Sequence, residues 1–282
     1  MAFNKKTWKS NAETPFNTAS LNDMENRIES EFNAVASPDL YPGRELTEFT
    51  WAQLQAKARS GDFSNLRVGD YKTITVGGNT VKMQIAGMDT YFRTTDASGQ
   101  GLGHHIDFIN KDCLPGTQKY NSTNNNNGTA DEPNPFLASE LHEYLEGTVY
   151  PSLPSDVQAV ITNKRFLCES RYSAEGALTE STAWSWKDLG KLWLPSEYEV
   201  FGSCIWSDKT WGSGQAVQYP IFANSWKNRI KGNGNGGSRR GWWLLSAVSG
   251  YSTSFCTVGY YGNASYGSAS HSICVPLCFR VS

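Results

Sequence analysis

From Gly241 to Phe279 the chain carries no Asp, Glu, Lys or Arg, yet the stretch is not uniformly apolar. It opens on Trp242, Trp243, Leu244 and Leu245 and closes on Ile273, Val275, Leu277 and Phe279. Between them residues 249–272 read SGYSTSFCTVGYYGNASYGSASHS, almost all Ser, Gly and Tyr with Thr, Asn and Ala. Two apolar frames demand burial, so the polar-aromatic stretch they enclose must be a loop or hairpin held by a core. That constraint weighs against a disordered low-complexity tail. Tyr offers a large amphipathic contact area at small entropic cost, while Ser, Gly and Asn adapt their hydrogen bonds. The candidate ligand contacts are therefore Tyr251, Phe255, Tyr260, Tyr261, Asn263, Tyr266 and His271, braced by Trp242, Trp243 and Phe279. Tyr and Trp stack on sugar faces as well as on protein surfaces, so a glycan and a protein both remain open as ligands. The bland alternative, Tyr packing on a sheet face, also remains open.

Composition supports the same view by exclusion. Charged residues make up 18% of the 282 residues and the formal net charge is −2, so no global basic field exists to bind nucleic acid. No apolar run approaches the length needed to span a bilayer. The N-terminus has Lys5 and Lys6 but no apolar run behind them, so a secretory leader is not expected. The six cysteines match no zinc spacing and are expected as mostly buried thiols, with a disulfide among the C-terminal three left open.

The N-terminal part reads as helical. Leu21, Met24, Ile28, Phe32 and Val35 recur at three- and four-residue steps within 17–35 and form one apolar stripe. So short a helix needs something to pack on, either its own domain or copies of itself. Pro38, Pro42 and Gly43 mark 37–46 as a linker. A second helix is expected at 47–60, capped by Thr47 and ended by Gly61, followed by a hairpin of 71–76 and 80–86 around Gly77 and Gly78, and a strand at 104–109. The Asn-rich stretch 117–135 has too little apolar content for a core and reads as a loop. Helices are expected at 137–149 and 155–161, and short irregular strands with long loops after 163. Helices early and strands late indicate an α+β fold.

Catalytic and metal patterns are weak. GNGNGG at 232–237 follows no clear strand and opens no helix, so it is not a phosphate cradle. His104, His105 and Asp107 fall on one strand, where adjacent side chains face opposite ways, so no metal site is expected. Glu180, Glu197 and Glu199 would suit glycoside hydrolysis only if they lined one cleft. Cys256 or Cys274 with His271 is a thiol–imidazole pair without specific support. No catalytic residue, metal or cofactor is assigned.

A family resemblance sharpens these expectations. GWWLLS, then a variable Gly/Tyr/Ser stretch, then CVPLCFRV at the C-terminus resembles a domain of unknown function that ends in RWWLRSP-like and RPAF-like motifs. That family occurs in phage tail-associated and bacterial surface proteins and is similar to the C-type-lectin-like fold. RVGDYKTITV, NPFLASELHEYLEGTVYPSLPSDVQAVI and LWLPSEYEVFG resemble its other segments, so the likeness runs over about 46 to 282. Leu245 stands where Arg is usual, and VPLCF replaces RPAF. WKSNAETPFNTASLNDMENRIESEF resembles the start of phage tail and head-fibre components, in which such a helix trimerises or docks on the virion. The resemblance implies an N-terminal attachment or trimerisation helix at 1–36, a linker at 37–46 and a C-type-lectin-like domain at 47–282. It implies a non-enzymatic homotrimeric virion protein, assembled in bacterial cytoplasm. Its partners would be other virion proteins through the helix and a host-surface glycan or protein through the C-terminal loop, with no nucleic acid or membrane. A structural head-fibre, decoration or neck protein, and a glycan hydrolase, are the alternatives.

Overall fold

Trp51, Leu54 and Ala58 recur at helical spacing, and in the computed structural model all three are buried along helix α1, Trp51–Ser60. The structure describes residues 24–26, 28, 42–92, 102–208 and 217–282. Thr50, rather than Thr47, caps α1. Its hydroxyl accepts from Gln53 N (3.2 Å) while Gln53 Oε1 accepts from Thr50 N (2.7 Å), a reciprocal capping box that leaves Phe49 outside the helix. Gly61 closes it at φ 68°, the left-handed conformation that suits glycine.

The chain divides into units 1–42 and Gly43–Ser282. In the first, residues 24–26 and 28 are helical and Met24 and Ile28 are exposed; Leu21, Phe32 and Val35 of the expected stripe lie outside the described residues. The second unit starts earlier than the expected boundary at 47. Leu46 is fully buried, Glu45 bridges to Tyr71, and Asp70 Oδ1 accepts from Arg44 N (3.0 Å), so 43–46 belong to the packed body rather than to a linker.

The strands β1, Tyr71–Val76, and β2, Asn79–Met88, form the expected hairpin, with Gly77 and Gly78 both at positive φ in a two-residue turn. β3 is Ile106–Asn110. Helix α2, Glu140–Tyr144, is much shorter than the expected 137–149; it continues as a π turn over Leu145–Val149 and a tight turn over Tyr150–Ser152. Helix α3, Ser155–Gln158, also ends early, because Ile161–Thr162 leave it to form strand β4. β5, Arg165–Ser170, pairs with β6, Ala183–Asp188. Two short helices follow, α4 (Glu197–Phe201) and α5 (Pro220–Asn224). The remaining strands are β7 (Lys231–Gly232), β8 (Arg239–Arg240), β9 (Trp242–Ala247), β10 (Ser254–Val258), β11 (Ala264–Ser268) and β12 (Cys278–Val281).

The fold is α+β with antiparallel sheets. The larger sheet has the order β1-β2-β3-β12-β4, so the last strand of the chain lies inside it. Phe279 on β12 pairs with Phe108 on β3, and Trp51 from α1 packs on both rings at 5.7 and 5.2 Å between centroids. Phe279 therefore does not brace the aromatic loop; it belongs to the core under the large sheet.

The same strand pair carries a buried charge network. Arg280 is the register partner of Asp107, and its Nε and Nη2 donate to the two carboxylate oxygens at 2.7 and 2.8 Å. Tyr219 OH donates to Asp107 Oδ2 (2.9 Å), the buried Lys164 ammonium donates to Tyr219 OH (3.0 Å), and Lys164 also pairs with buried Glu199. Tyr91 OH donates to Glu199 Oε1 (2.7 Å), and Lys164 lies 3.9 Å over the Trp193 ring. The Arg280 fork holds the Asp107 carboxyl well below the usual carboxylate range despite its burial.

His105 sits beside this network. Its Nδ1 meets Gly103 O (2.9 Å) and its Nε2 accepts from Tyr91 N (3.2 Å), which assigns the neutral tautomer. Burial, with the nearby Arg280 charge, lowers its pKa to about 4. An unfolded histidine takes up its proton near pH 6.5, which the folded site refuses. The stability is therefore full above pH 6.5 and falls as pH drops to 4, by about 3 kcal/mol. Urea unfolding of wild type and His105→Gln between pH 7 and 4 checks this: the variant should lose the steep segment between 6.5 and 4.

Candidate functional site

The hairpin of β10 and β11 carries most of the expected contact residues, and the structure separates them into inward and outward sets. Phe255 points inward. It is fully buried and stacks on Tyr120 at 3.4 Å between centroids, so it is a core residue and not a ligand contact. The alternation that puts Tyr266 outward on β11 also puts Gly267 inward, against the Trp243 ring. Trp243 anchors itself by donating Nε1–H to Gln118 O (2.9 Å), and Trp242 donates to Arg229 O (2.8 Å) and stacks on Phe222. Both tryptophans are fully buried and sit side by side on β9, the strand that joins β10 and β11 in a three-stranded sheet of order β11-β10-β9.

Two exposed aromatic groups result. Tyr260 and Tyr261 stand at the tip, 50% and 71% exposed and edge to face with each other, in a turn closed by Gly259 N–H donating to Asn263 O (2.7 Å). Asn263 and His271 are exposed as well. The second group brings together residues far apart in the chain. Tyr251 lies near-parallel to Tyr266 at 5.6 Å, and Trp206 meets Tyr266 edge to face at 4.8 Å. Trp206 is exposed alongside Ile205. Neither residue was indicated by the sequence: an isolated IW pair between loops gives no periodicity to read.

Buried polar groups set this row in place. The Glu197 carboxylate accepts from the backbone N–H of Ile205 (2.8 Å), Trp206 (3.0 Å) and Ser207 (2.8 Å) and from Ser207 Oγ (2.7 Å). Trp206 O in turn accepts from Ser249 N (2.8 Å). Tyr251 is fixed through its carbonyl, which accepts from Asn126 Nδ2 (2.9 Å) and Arg171 Nη2 (3.2 Å). Asn126 is fully buried and also donates to Ser254 O (2.6 Å), while Arg171 bridges to Val248 O (2.9 Å) and Thr179 O. The Asn-rich stretch is thus a loop, as read, but not one without a core role: a side-chain amide supplies the hydrogen bonds that a strand would otherwise supply.

The expected catalytic alternatives are dispersed. Glu199 pairs with Lys164 in the core, Glu197 holds the 205–207 loop, and Glu180 accepts from Ser249 Oγ (2.8 Å) at the surface. None of the three lines the small cleft formed by Trp184, Tyr198, Cys204, Asp208 and Glu169. Cys256 is buried against Ala247 O, so it does not meet His271. His104 pairs with Asp89 (2.6 Å) and stacks on Phe92, away from the buried His105 and Asp107. The Gly-rich loop at 232–237 does turn amides toward an anion, but the anion is the chain's own: Asp112 accepts from Gly232 N (2.8 Å) and Gly236 N (3.2 Å).

The family model of a domain of unknown function, DUF6273, matches residues 109–282. The chain belongs to that family. The DUF6273 region takes in the whole aromatic row, its braces Trp242 and Trp243, and the supports Asn126, Arg171 and Glu197. It begins within β3, so β1, β2 and Asp107 lie before it although they complete the same sheet and the same salt bridge. No curated protein and no solved structure matches the chain.

Proposed function

We propose that this DUF6273 protein is a bacteriophage virion component, a tail-fibre or receptor-binding protein that contacts the host surface through its C-terminal hairpin. In this reading Gly43–Ser282 is a C-type-lectin-like body, and the N-terminal helix attaches it to other virion proteins and trimerises it. The observation that carries the reading is the Trp206–Tyr266–Tyr251 row, in which exposed Tyr266 of the hairpin is flanked by two further exposed aromatic rings, one from the 205–207 loop. Contiguous exposed aromatic surface held by a fixed frame marks an interaction site, and Trp and Tyr are the residues that dominate binding energy at such sites. The surrounding hairpin has no formal charge, which suits a neutral glycan or protein surface better than a polyanion. The mechanism is binding without turnover, and three copies of a weak site would raise avidity.

The test uses the full-length protein, whose mass in solution should be three times 31.2 kDa. Its binding to a panel of intact bacteria and to purified cell-wall glycan is compared with that of Trp206→Ala/Tyr251→Ala/Tyr266→Ala. Loss of about 2 kcal/mol or more, some thirtyfold in affinity, is expected for three such truncations. Absence of binding by the wild type, or unchanged binding by the variant, overturns the receptor reading. Binding only to other virion proteins favours the structural head-fibre or neck alternative.

A further inference from the structure

Residues 209–282 hold seven Lys and Arg and no Asp or Glu. Two of these cations are turned into the fold: Arg280 pairs with Asp107, and the buried Lys231 donates to Asn110 O and to Lys111 O (3.1 Å). Arg239 and Arg240, the two residues of β8, are exposed instead, and among the described residues neither is ion-paired. Arg240 is also the register partner of Lys231, and like charges directly opposite each other in a ladder oppose folding. The carboxylate that serves this hairpin, Asp112, is taken up by Gly232 N and Gly236 N.

The fold sets this cationic strand beside the tip of the aromatic hairpin. β8 runs through Gly241 into β9, and a Cβ at Gly241 would meet Val258 O at 3.1 Å and Gly259 Cα at 4.0 Å, so Arg240 enters level with the start of the 259–263 turn. On the other side a Cβ at Gly262 would meet Ile230 Cγ1 at 3.2 Å and Arg229 Cβ at 3.4 Å, which seats the turn on the segment 226–230. Trp242 locks that segment by donating to Arg229 O. Three stretches remote in sequence thus bring Trp226, Arg239, Arg240, Tyr260 and Tyr261 to one end of the small sheet, the three aromatic residues 53%, 50% and 71% exposed.

We infer that this end of the sheet binds an acidic glycan, sugar rings that carry carboxylate groups. A guanidinium pairs with a carboxylate through two parallel N–H donors, and Arg239 and Arg240 present two such forks. Trp226, Tyr260 and Tyr261 supply flat amphipathic faces for the rings. The charges lie on β8 and not on the hairpin, whose own uncharged surface still suits neutral sugar. A nucleic acid fits less well: it presents a phosphate at every step, and this is a short cationic patch on a chain of formal net charge −2. The inference rests on the receptor reading only for the source of the glycan, and it adds a second contact beside the Trp206 row.

The full-length protein is titrated with polygalacturonate and with hyaluronan, each also as its methyl ester, and with oligo(dT). The acid forms should bind, added salt should weaken them, and esterification should cost about tenfold or more in affinity. Arg239→Ser/Arg240→Ser should bind acid and ester alike, and should melt at or above wild type because both side chains are exposed and opposed like charges are removed. Tyr260→Ser/Tyr261→Ser should weaken acid and ester together. No binding of either acid form, equal binding of acid and ester by the wild type, or tighter binding of oligo(dT) overturns the inference. Should the arginine variant fail to fold, the acid–ester comparison on the wild type decides alone. The receptor reading fails separately: a Trp206→Ala/Tyr251→Ala/Tyr266→Ala protein that binds intact bacteria like wild type counts against that reading and leaves the glycan result standing.

Discussion

Arg280→Met is expected to destabilise the Gly43–Ser282 unit by about 3–5 kcal/mol, the cost of stranding one member of a buried ion pair. Arg280 donates both arms of its guanidinium to Asp107, and both side chains are excluded from water. Without it, the Asp107 carboxylate keeps only the Tyr219 hydroxyl and the more distant His105 ring, 3.9 Å away. Protonation then becomes its cheapest escape, so the variant should be less destabilised at low pH relative to wild type than at neutral pH. The sign follows from linkage. Asp107 is held low in the folded wild type, which contributes stability above the ordinary carboxylate pKa and loses it as pH falls below; the variant lacks that contribution. Urea denaturation at pH 7 and pH 4 measures both. The double variant Arg280→Met/Asp107→Asn should recover part of the loss, because the unpaired charge is gone. An Arg280→Met protein within 1 kcal/mol of wild type would mean that the pair is not buried in solution.

Glu197→Ala is expected to have the second large effect, and it reaches the candidate site. One carboxylate satisfies three backbone N–H groups and a hydroxyl in the 205–207 loop, and each buried donor left without a partner costs about 1–3 kcal/mol. A total near 4 kcal/mol is expected, partly offset by water entering the loop. The loop should lose its fixed conformation, and Trp206 its contact with Tyr266. Hydrogen exchange at the amides of 205–207 should accelerate well beyond the rest of the molecule, and tryptophan fluorescence should shift to the red. Surface binding should fall with it although Glu197 touches no ligand. Protection of those three amides unchanged from wild type would contradict this role.

Much of the local structure was legible because it depends on near neighbours. The Gly77–Gly78 turn, the αL glycine at 61 and the alternation of β1 each follow from residues within a few positions. The early end of α2 and α3 was not legible, because the strand β4 that stops the latter exists only through pairing with β12, more than a hundred residues away. The charge network shows the same limit. Arg280 follows directly on the VPLCF segment, and in sequence its partner Asp107 stands out only beside His104 and His105. Only the register of β12 on β3 sets them face to face. Glu197 and Glu199 stand two positions apart and look alike in sequence; the start of α4 sends one to the 205–207 loop and the other to Lys164.

The uncharged stretch from Gly241 to Phe279 determined by itself that a polar-aromatic segment would be framed by buried apolar residues and would present tyrosines to the outside. Burial of the frame is a property of composition and order, because apolar side chains leave water whatever the topology. Which aromatics face out, and with whom, was decided by tertiary structure alone. Phe255 turned inward onto Tyr120, Phe279 went to the other sheet, and Trp206 joined Tyr251 and Tyr266 from a separate loop. Facing is set by strand register and by buried hydrogen bonds from Asn126, Arg171 and Glu197, each bridging long stretches of chain or holding a loop no periodicity describes.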